Sequence, residues 1–488
     1  MATTNVQART LWIGILQGEW KEMGIQYGKR AGKDVAWGFD LLWSGQTGSG
    51  IRLKKQLWQK QGRTVEENED YAVAYMQRMY KELEFLSPEI HAFFEGIGLG
   101  AAEELEKCVW HHRCPNHSLK IALLNLVDMH FHPNWDFAND RPYTTTLHVK
   151  ADSADDCNAF WVKGEATKTG ETYATRHIQG GGVSRGRSVA YVAIPEDRNA
   201  SVFWGTGRAG SIGGLGGGLL NEYGVCGLTA GCQPEEPDVP VDEALAPGVK
   251  DFWLASYGVI FSKNAREAVD RITVGTERYR QLTGRKTVLR ARGCTIIFGD
   301  PNEAFDVEQN ARHYAIRKPG DLGEIGGNYL VIANHFKDVK GSYDENNVFQ
   351  KDITMGGTYT PERKGDSSYY RFWQGMWNLR NNYGEIDLDM MKELTSSHTS
   401  YDEEGKRYDP DPVTGMPATG TWCAHKGPFS KEQPLGVDGS NCVSVFNLST
   451  REVYWVPVWP CHYKEWNMDW HYLDLKPYVK YRKNLWGY

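Results

Sequence analysis

The sequence predicts an α+β protein in which two β-sheets pack together and helices cover them from outside. Three observations carry that expectation. Fifty-three glycines and 12% aromatic residues, with eighteen tryptophans among them, suit many strands and tight turns with wide flat side chains in the core. Helical periodicity dominates up to about residue 150, and strand-like runs dominate from Cys157 onward. Two helical tracts then interrupt the strands, an order that fits sheets with helices on their outer faces.

Taken in order, Leu11 to Leu16 is apolar and β-branched enough for a strand. An amphipathic helix follows, with Trp20, Met23, Ile25, Tyr27 and Ala31 set against Lys29, Arg30 and Lys33, despite Gly24 and Gly28. Tyr71 to Leu86 and Pro88 to Glu106 repeat the helical period, and Ser87-Pro88 supplies a start signal for the second. The acidic, small-residue stretch from Ala151 to Asp156 reads as a linker open to processing, and it divides residues 1–156 from residues 157–488. Strands are expected at Val189–Ile194, Ser201–Trp204, Val225–Ala230, Thr295–Phe298, Ala304–Gln309, His313–Arg317, Tyr329–Ala333, Val443–Phe446 and Val453–Val458. Helices are expected at Val249–Ile272 and Tyr369–Arg380.

The totals exclude several classes. At 488 residues the chain can hold one large core or two to three domains. Charged residues make up 24%, the net charge is −7 and no basic block occurs, which argues against nucleic acid and against an anionic membrane surface. The nine cysteines are odd in number and irregular in spacing, so they do not outline a disulfide framework. The opening residues carry no charged-then-apolar leader and no long apolar window occurs, so a cytoplasmic protein is expected. Cys108, His111, His112, Cys114 and His117 cluster in sequence, but their spacing fits no standard zinc module, and no metal or cofactor is expected. Gly205-Thr-Gly207-Arg-Ala-Gly210 matches a dinucleotide fingerprint, yet the glycine-rich run after it cannot open a stable helix. A looped backbone over a substrate is the better reading there.

The stretch that carries chemistry begins at Cys157. Asn158 to Ala166 and Thr172 to His177 flank a Thr169-Gly170 turn, so the segment reads as a hairpin with a cysteine at its first position. Cutting the Asp156–Cys157 bond would give Cys157 a free α-amine, with a reference pKa of about 7.7–8.0, able to serve as base for its own thiol.

Several segments, in order, are similar to one family. Leu16-Gln-Gly-Glu-Trp-Lys-Glu-Met-Gly-Ile-Gln-Tyr-Gly28-Lys resembles the propeptide opening of the acyl-coenzyme A:isopenicillin acyltransferase family, peptidase family C45, among the N-terminal-nucleophile (Ntn) hydrolases. The hairpin at Cys157 resembles the one that opens their catalytic part. Asn221-Glu-Tyr-Gly224, Asn334-His335-Phe336, Arg371-Phe372, Cys423-Ala-His425 and the Pro460-Cys461 turn resemble later motifs of the same family. Two departures stand out: Gln179 occupies the place of an aspartate, and Ala424 the place of a common arginine.

The resemblance implies a four-layer αββα Ntn-hydrolase sandwich from residues 157–488, with the mainly helical residues 1–156 as a propeptide or α-subunit that stays attached after cleavage. It implies a linear-amide hydrolase working through a thioester on Cys157. An acyltransferase, a phospholipase-B-like amidase and a non-catalytic aromatic-rich binding protein are the alternatives. Arg176 and Arg371 are expected to hold the thiol as its anion, and Asn334 with a backbone N–H to stabilise the oxyanion. Trp161, Gln179, Asn221 and His335 are expected on the substrate side. The expected partner is a small amide or acyl substrate, with homo-oligomerisation left open.

Overall fold

The computed structural model describes residues 9–44, 63–125, 135–139, 141–142, 157–180, 187–213, 218–232, 245–337, 341–351, 367–412, 418, 420–423, 439–457, 459–461 and 469–487. The expected linker from Ala151 to Asp156 lies outside them.

Two large sheets organise the described residues. The larger runs β1 (Arg9–Gly18), β6 (Arg187–Pro195), β7 (Phe203–Arg208), β8 (Gly218–Asn221), β9 (Cys226–Gly231), β10 (Cys294–Gly299), β11 (Ala304–Gln309), β12 (Tyr314–Arg317), β14 (Ser342–Tyr343) and β15 (Phe349–Gln350). The smaller runs β13 (Tyr329–Ile332), β4 (Asn158–Gly164), β5 (Gly170–Gly180), β18 (Gly439–Asn447), β19 (Glu452–Val456) and β20 (His471–Asp474). Short ribbons join β2 (Trp135–Asp136) to β3 (Arg141–Pro142) and β16 (Ser400–Tyr401) to β17 (Arg407–Tyr408). Gly205 and Gly207 sit within β7 itself, so these glycines form strand rather than the expected looped backbone over a substrate or a phosphate loop.

Strand alternation builds the layers. In β4, Ala159 and Trp161 face inward with Ala174 of β5, against Val192, Trp204, Leu228 and Ile297 of the larger sheet. Phe160 and Val162 face the other way, onto a core shared with α9 (Ser367–Asn381) and α10 (Leu388–Thr395). A strand buried on both faces needs an unbroken apolar run, and Ala159-Phe-Trp-Val162 is one.

The outer face of the larger sheet, including Val189, Tyr191, Phe203, Ile296 and Phe298, packs on α1 (Trp20–Ser44), α2 (Val65–Leu86), α3 (Pro88–Gly100), α6 (Asp251–Ile260) and α7 (Ala265–Thr273). The short helices α4 (Ala102–Glu106), α5 (His117–Leu124) and α8 (Glu277–Thr283) complete that layer, and α11 (Lys476–Trp486) closes the chain. The described residues therefore form a four-layer αββα sandwich, the class the resemblance implies, but β1 and α1 to α5 from residues 1–156 are built into it, so it does not consist of residues 157–488 alone.

Two expected helices divide. Val249–Ile272 splits at Phe261–Asn264, because the Asn264 side chain accepts from Glu267 N (2.9 Å) and starts a new helix. Pro88–Glu106 splits at Ala101. The residues before Cys157 also do more than cover the sheet: β1 pairs in parallel with β6, from Arg9 opposite Arg187 to Gly18 opposite Pro195.

Candidate active site

Sheet register brings the first two site residues together. β13 runs antiparallel to β4 with Ile332 opposite Ala159, so Asn334, two residues past Ile332, comes level with Cys157, two residues before Ala159. Their hydrogen bond follows: Cys157 N donates to Asn334 Oδ1 at 2.6 Å.

The same Asn334 oxygen accepts from Arg371 Nη1 at 2.8 Å, and Arg371 Nη1 also donates to the Cys157 carbonyl. On its other side the Asn334 amide nitrogen donates to Gly231 O at 2.7 Å. Two donors on one end and an acceptor on the other fix which way the amide faces. Asn334 was expected to offer its N–H groups to an oxyanion. One of the two N–H groups is taken by Gly231 O of the larger sheet, and the side-chain oxygen holds the nitrogen of Cys157.

Arg371 reaches this point from the first turn of α9, on the outside of the smaller sheet. It is fully buried, and its Nε donates to Ser367 Oγ at 3.2 Å. Gly375, one turn on, makes the approach possible, since a Cβ there would lie 2.6 Å from Val331 Cγ1 and 2.7 Å from Trp422 Cζ2. Trp422 then locks the helix: its Nε1 donates to Arg371 O at 2.8 Å, its N donates to Gln374 Oε1 at 2.7 Å, and its ring stacks on Phe160 at 4.8 Å.

Arg176 lies opposite Ala159 in the register of β4 and β5, and so shares the inter-sheet face with Cys157. Its Nε donates to Thr229 O of the facing sheet at 2.9 Å, and its guanidinium lies 5.5 Å from the Phe252 ring centroid. The next residue, His177, points to the other face and meets the Trp422 carbonyl through Nδ1 at 3.1 Å. Burial, opposed by that hydrogen bond and reinforced by the nearby Arg371 charge, brings the His177 pKa down to about 3. A neutral imidazole donating to a carbonyl is thus a structural tie.

The remaining expected site residues are engaged elsewhere. Asn221 binds the Val259 and Ser262 carbonyls through Nδ2 (2.7 and 2.8 Å) and accepts from Tyr223 N and Val225 N, which makes it the organiser of the β8–β9 turn. Trp161 is fully buried, donates to Asp300 O at 3.1 Å and lies against Gly299, where a Cβ would come within 2.5 Å of its ring. His335 is hydrogen-bonded to Ser368 Oγ at 2.7 Å and joins β13 to α9. The Gln179 backbone pairs with Ser440, and its side chain lies outside the described residues, as do Asp156 and His425.

A charged cluster holds the Asn334 segment from below. Lys337 N donates to Glu308 Oε1 at 2.7 Å and Lys337 Nζ to His335 O at 2.9 Å. Arg317 spans Asp306 (3.0 Å), Glu324 (2.6 Å) and the Val331 carbonyl (2.6 Å). Burial, then the Asp306 charge, pushes the Glu308 carboxyl up to about 8, while burial lowers Lys337.

The sequence reading missed Trp422, Gln374 and Gly231. Trp422 directly precedes the Cys423-Ala-His425 motif, whose cysteine and histidine drew the reading. Gly231 acts through a backbone carbonyl, which no side-chain pattern marks.

No protein-family model matches the chain, and no curated protein matches it. Among solved structures it is similar to a mutant of conjugated bile acid hydrolase from Clostridium perfringens, at 10% identity over 66% of this chain and 93% of that one, with a TM-score of 0.34. It is similar to penicillin V acylase from Agrobacterium tumefaciens at 9% identity over 62% and 83%, TM-score 0.30. A second variant of the Clostridium hydrolase gives 9% identity over 68% and 88%, TM-score 0.28. Likeness this low carries no argument about chemistry, and the fold rests on the layers and registers described above. Among the described residues no helix is long and apolar enough to cross a membrane.

Proposed function

We propose that this chain is an Ntn hydrolase that cleaves a linear amide through Cys157. The observation that carries the reading is the grip on the Cys157 backbone: Asn334 Oδ1 on its nitrogen and Arg371 on its carbonyl. A peptide nitrogen inside a strand needs only a ladder partner. A residue that will become a chain terminus needs its nitrogen held after the preceding bond is gone.

Once the Asp156–Cys157 bond is hydrolysed, that nitrogen is an amine. Asn334 Oδ1 takes one of its hydrogens and turns the lone pair elsewhere. The amine removes the thiol proton of Cys157, and the thiolate attacks the substrate carbonyl. As the tetrahedral intermediate collapses, the C–N bond breaks, the leaving amine takes the proton, and a thioester remains on Cys157. Water activated by the same amine then releases the acid and restores the thiol. The positive Arg371 beside the amine disfavours its protonated form and keeps more of it basic at neutral pH. Arg176, on the same inter-sheet face as Cys157, adds positive potential there.

The test is hydrolysis of a panel of N-acyl amines and short peptides by the wild type and by Cys157→Ala, with acid-quenched samples examined by mass spectrometry. The wild type should release amine and carry a labile acyl group on Cys157, and the variant should do neither. Amine release by Cys157→Ala at the wild-type rate would place the chemistry elsewhere.

A further inference from the structure

We propose that His398, Cys423 and Cys461 bind a zinc ion in a structural site separate from the Cys157 centre. The three residues come from distant parts of the chain. His398 follows α10, Cys423 follows Trp422, and Cys461 lies two residues past Trp459. Their ligand atoms nevertheless all lie within 4.8 Å of one another. Around zinc, with Zn–S of about 2.3 Å and Zn–N of about 2.0 Å, tetrahedral ligands stand roughly 3.4–3.8 Å apart. Drawing the trio in by about 1 Å would therefore suffice.

The donor set selects the metal. Two thiols and an imidazole are soft to borderline ligands, which suit zinc and disfavour magnesium or calcium. Binding releases two protons, one from each thiol, and the resulting two thiolates balance the charge of the ion with His398 neutral. That neutrality matters because Cys423 is fully buried and Cys461 is 8% exposed, with Trp459 packed against both. The fourth position is left to a water molecule or another donor.

The place of the site gives it a use. It would fix Cys423 beside Trp422, the residue whose indole holds Arg371 and whose carbonyl holds His177. The metal would thus brace the wall of the candidate active site without touching the substrate. In the absence of an ion, two thiols this close could instead form a disulfide, in which His398 has no part.

The test uses the full chain purified without chelator or metal-affinity resin, under reducing conditions. Elemental analysis should find about one zinc per chain, as one Cys₂His site requires. Replacement by cobalt(II) in the folded wild type should give thiolate-to-cobalt absorption in the near ultraviolet. Cys423→Ser, Cys461→Ser and His398→Gln should each lower the zinc content, and loss of zinc from the wild type should lower its Tm. If any variant fails to fold, the wild-type zinc and cobalt measurements still decide. Zinc-free wild type with no cobalt spectrum after reconstitution would overturn the proposal. So would a Cys423–Cys461 disulfide in protein prepared with zinc and reductant, or unchanged zinc content in all folded variants.

Discussion

Asn334 shows what one side chain contributes. Its oxygen accepts from Cys157 N and Arg371, and its nitrogen is anchored on Gly231 O. Truncation to alanine removes the Asn334 hydrogen bonds to the Cys157 nitrogen, to Arg371 and to the Gly231 carbonyl. At about 1.5–3 kcal/mol for a hydrogen bond involving a charged group, Asn334→Ala should lower kcat roughly 10- to 100-fold with KM little changed. An unchanged kcat would remove Asn334 from the site. His177 makes a second case. Its folded pKa of about 3 lies below the unfolded value of about 6.5, so the unfolded chain binds the extra proton between those limits. Its contribution is intact above about pH 6.5 and is lost as pH falls toward 3, at up to about 1.4 kcal/mol per unit. Denaturation curves across this range should show a shallower acid loss for His177→Gln than for the wild type. Parallel curves would mean other groups set the acid limit. Asn334 was legible in the sequence as a residue, whereas its orientation was not, because an acceptor on the opposite sheet sets it.

At the scale of elements, glycines that look like a cost in the sequence prove to be contact points. Gly24 and Gly28 interrupt the amphipathic pattern of α1, yet they meet Gly96 and Gly100 of α3 backbone to backbone. A Cβ on Gly24 would lie 2.1 Å from Phe93 O, and one on Gly96 would lie 2.1 Å from Lys21 O. Neither can be accommodated without moving a helix axis. Gly96→Val should therefore destabilise the chain by about 2–3 kcal/mol, in the range of overpacked cores, read as a lower Tm and denaturant midpoint. Wild-type stability would show that the helices can separate freely. The hairpin of β4 and β5 was legible because two β-rich runs with a glycine between them are local signals, although the connection spans Glu165 to Thr169, between the paired Gly164 and Gly170, and not the expected Thr169-Gly170 turn. The α1–α3 contact joins residues about seventy positions apart in the sequence, so nothing local records it. The same holds for His398, Cys423 and Cys461.

For the whole molecule, the four layers explain why a cut before Cys157 need not release the first part of the chain. β1 completes one edge of the larger sheet, and α1, α2 and α3 bury its outer face. Two sheets with helices outside them were readable from the order of strand-like and helical runs, and the four layers from the family resemblance, whereas the strand order was not legible. Nor was the parallel insertion of β1 beside β6, since a short apolar strand carries no mark of its partner. The central claim is that Cys157 becomes a chain terminus by its own chemistry and then serves as nucleophile. The most direct measurement is the intact mass of purified wild type and Cys157→Ala under denaturing conditions, paired with their native masses. The account predicts two wild-type pieces, the heavier starting at Cys157, that travel together under native conditions, and a single uncut Cys157→Ala chain. A wild type that remains one chain, or a Cys157→Ala variant cut at the same bond, would contradict it.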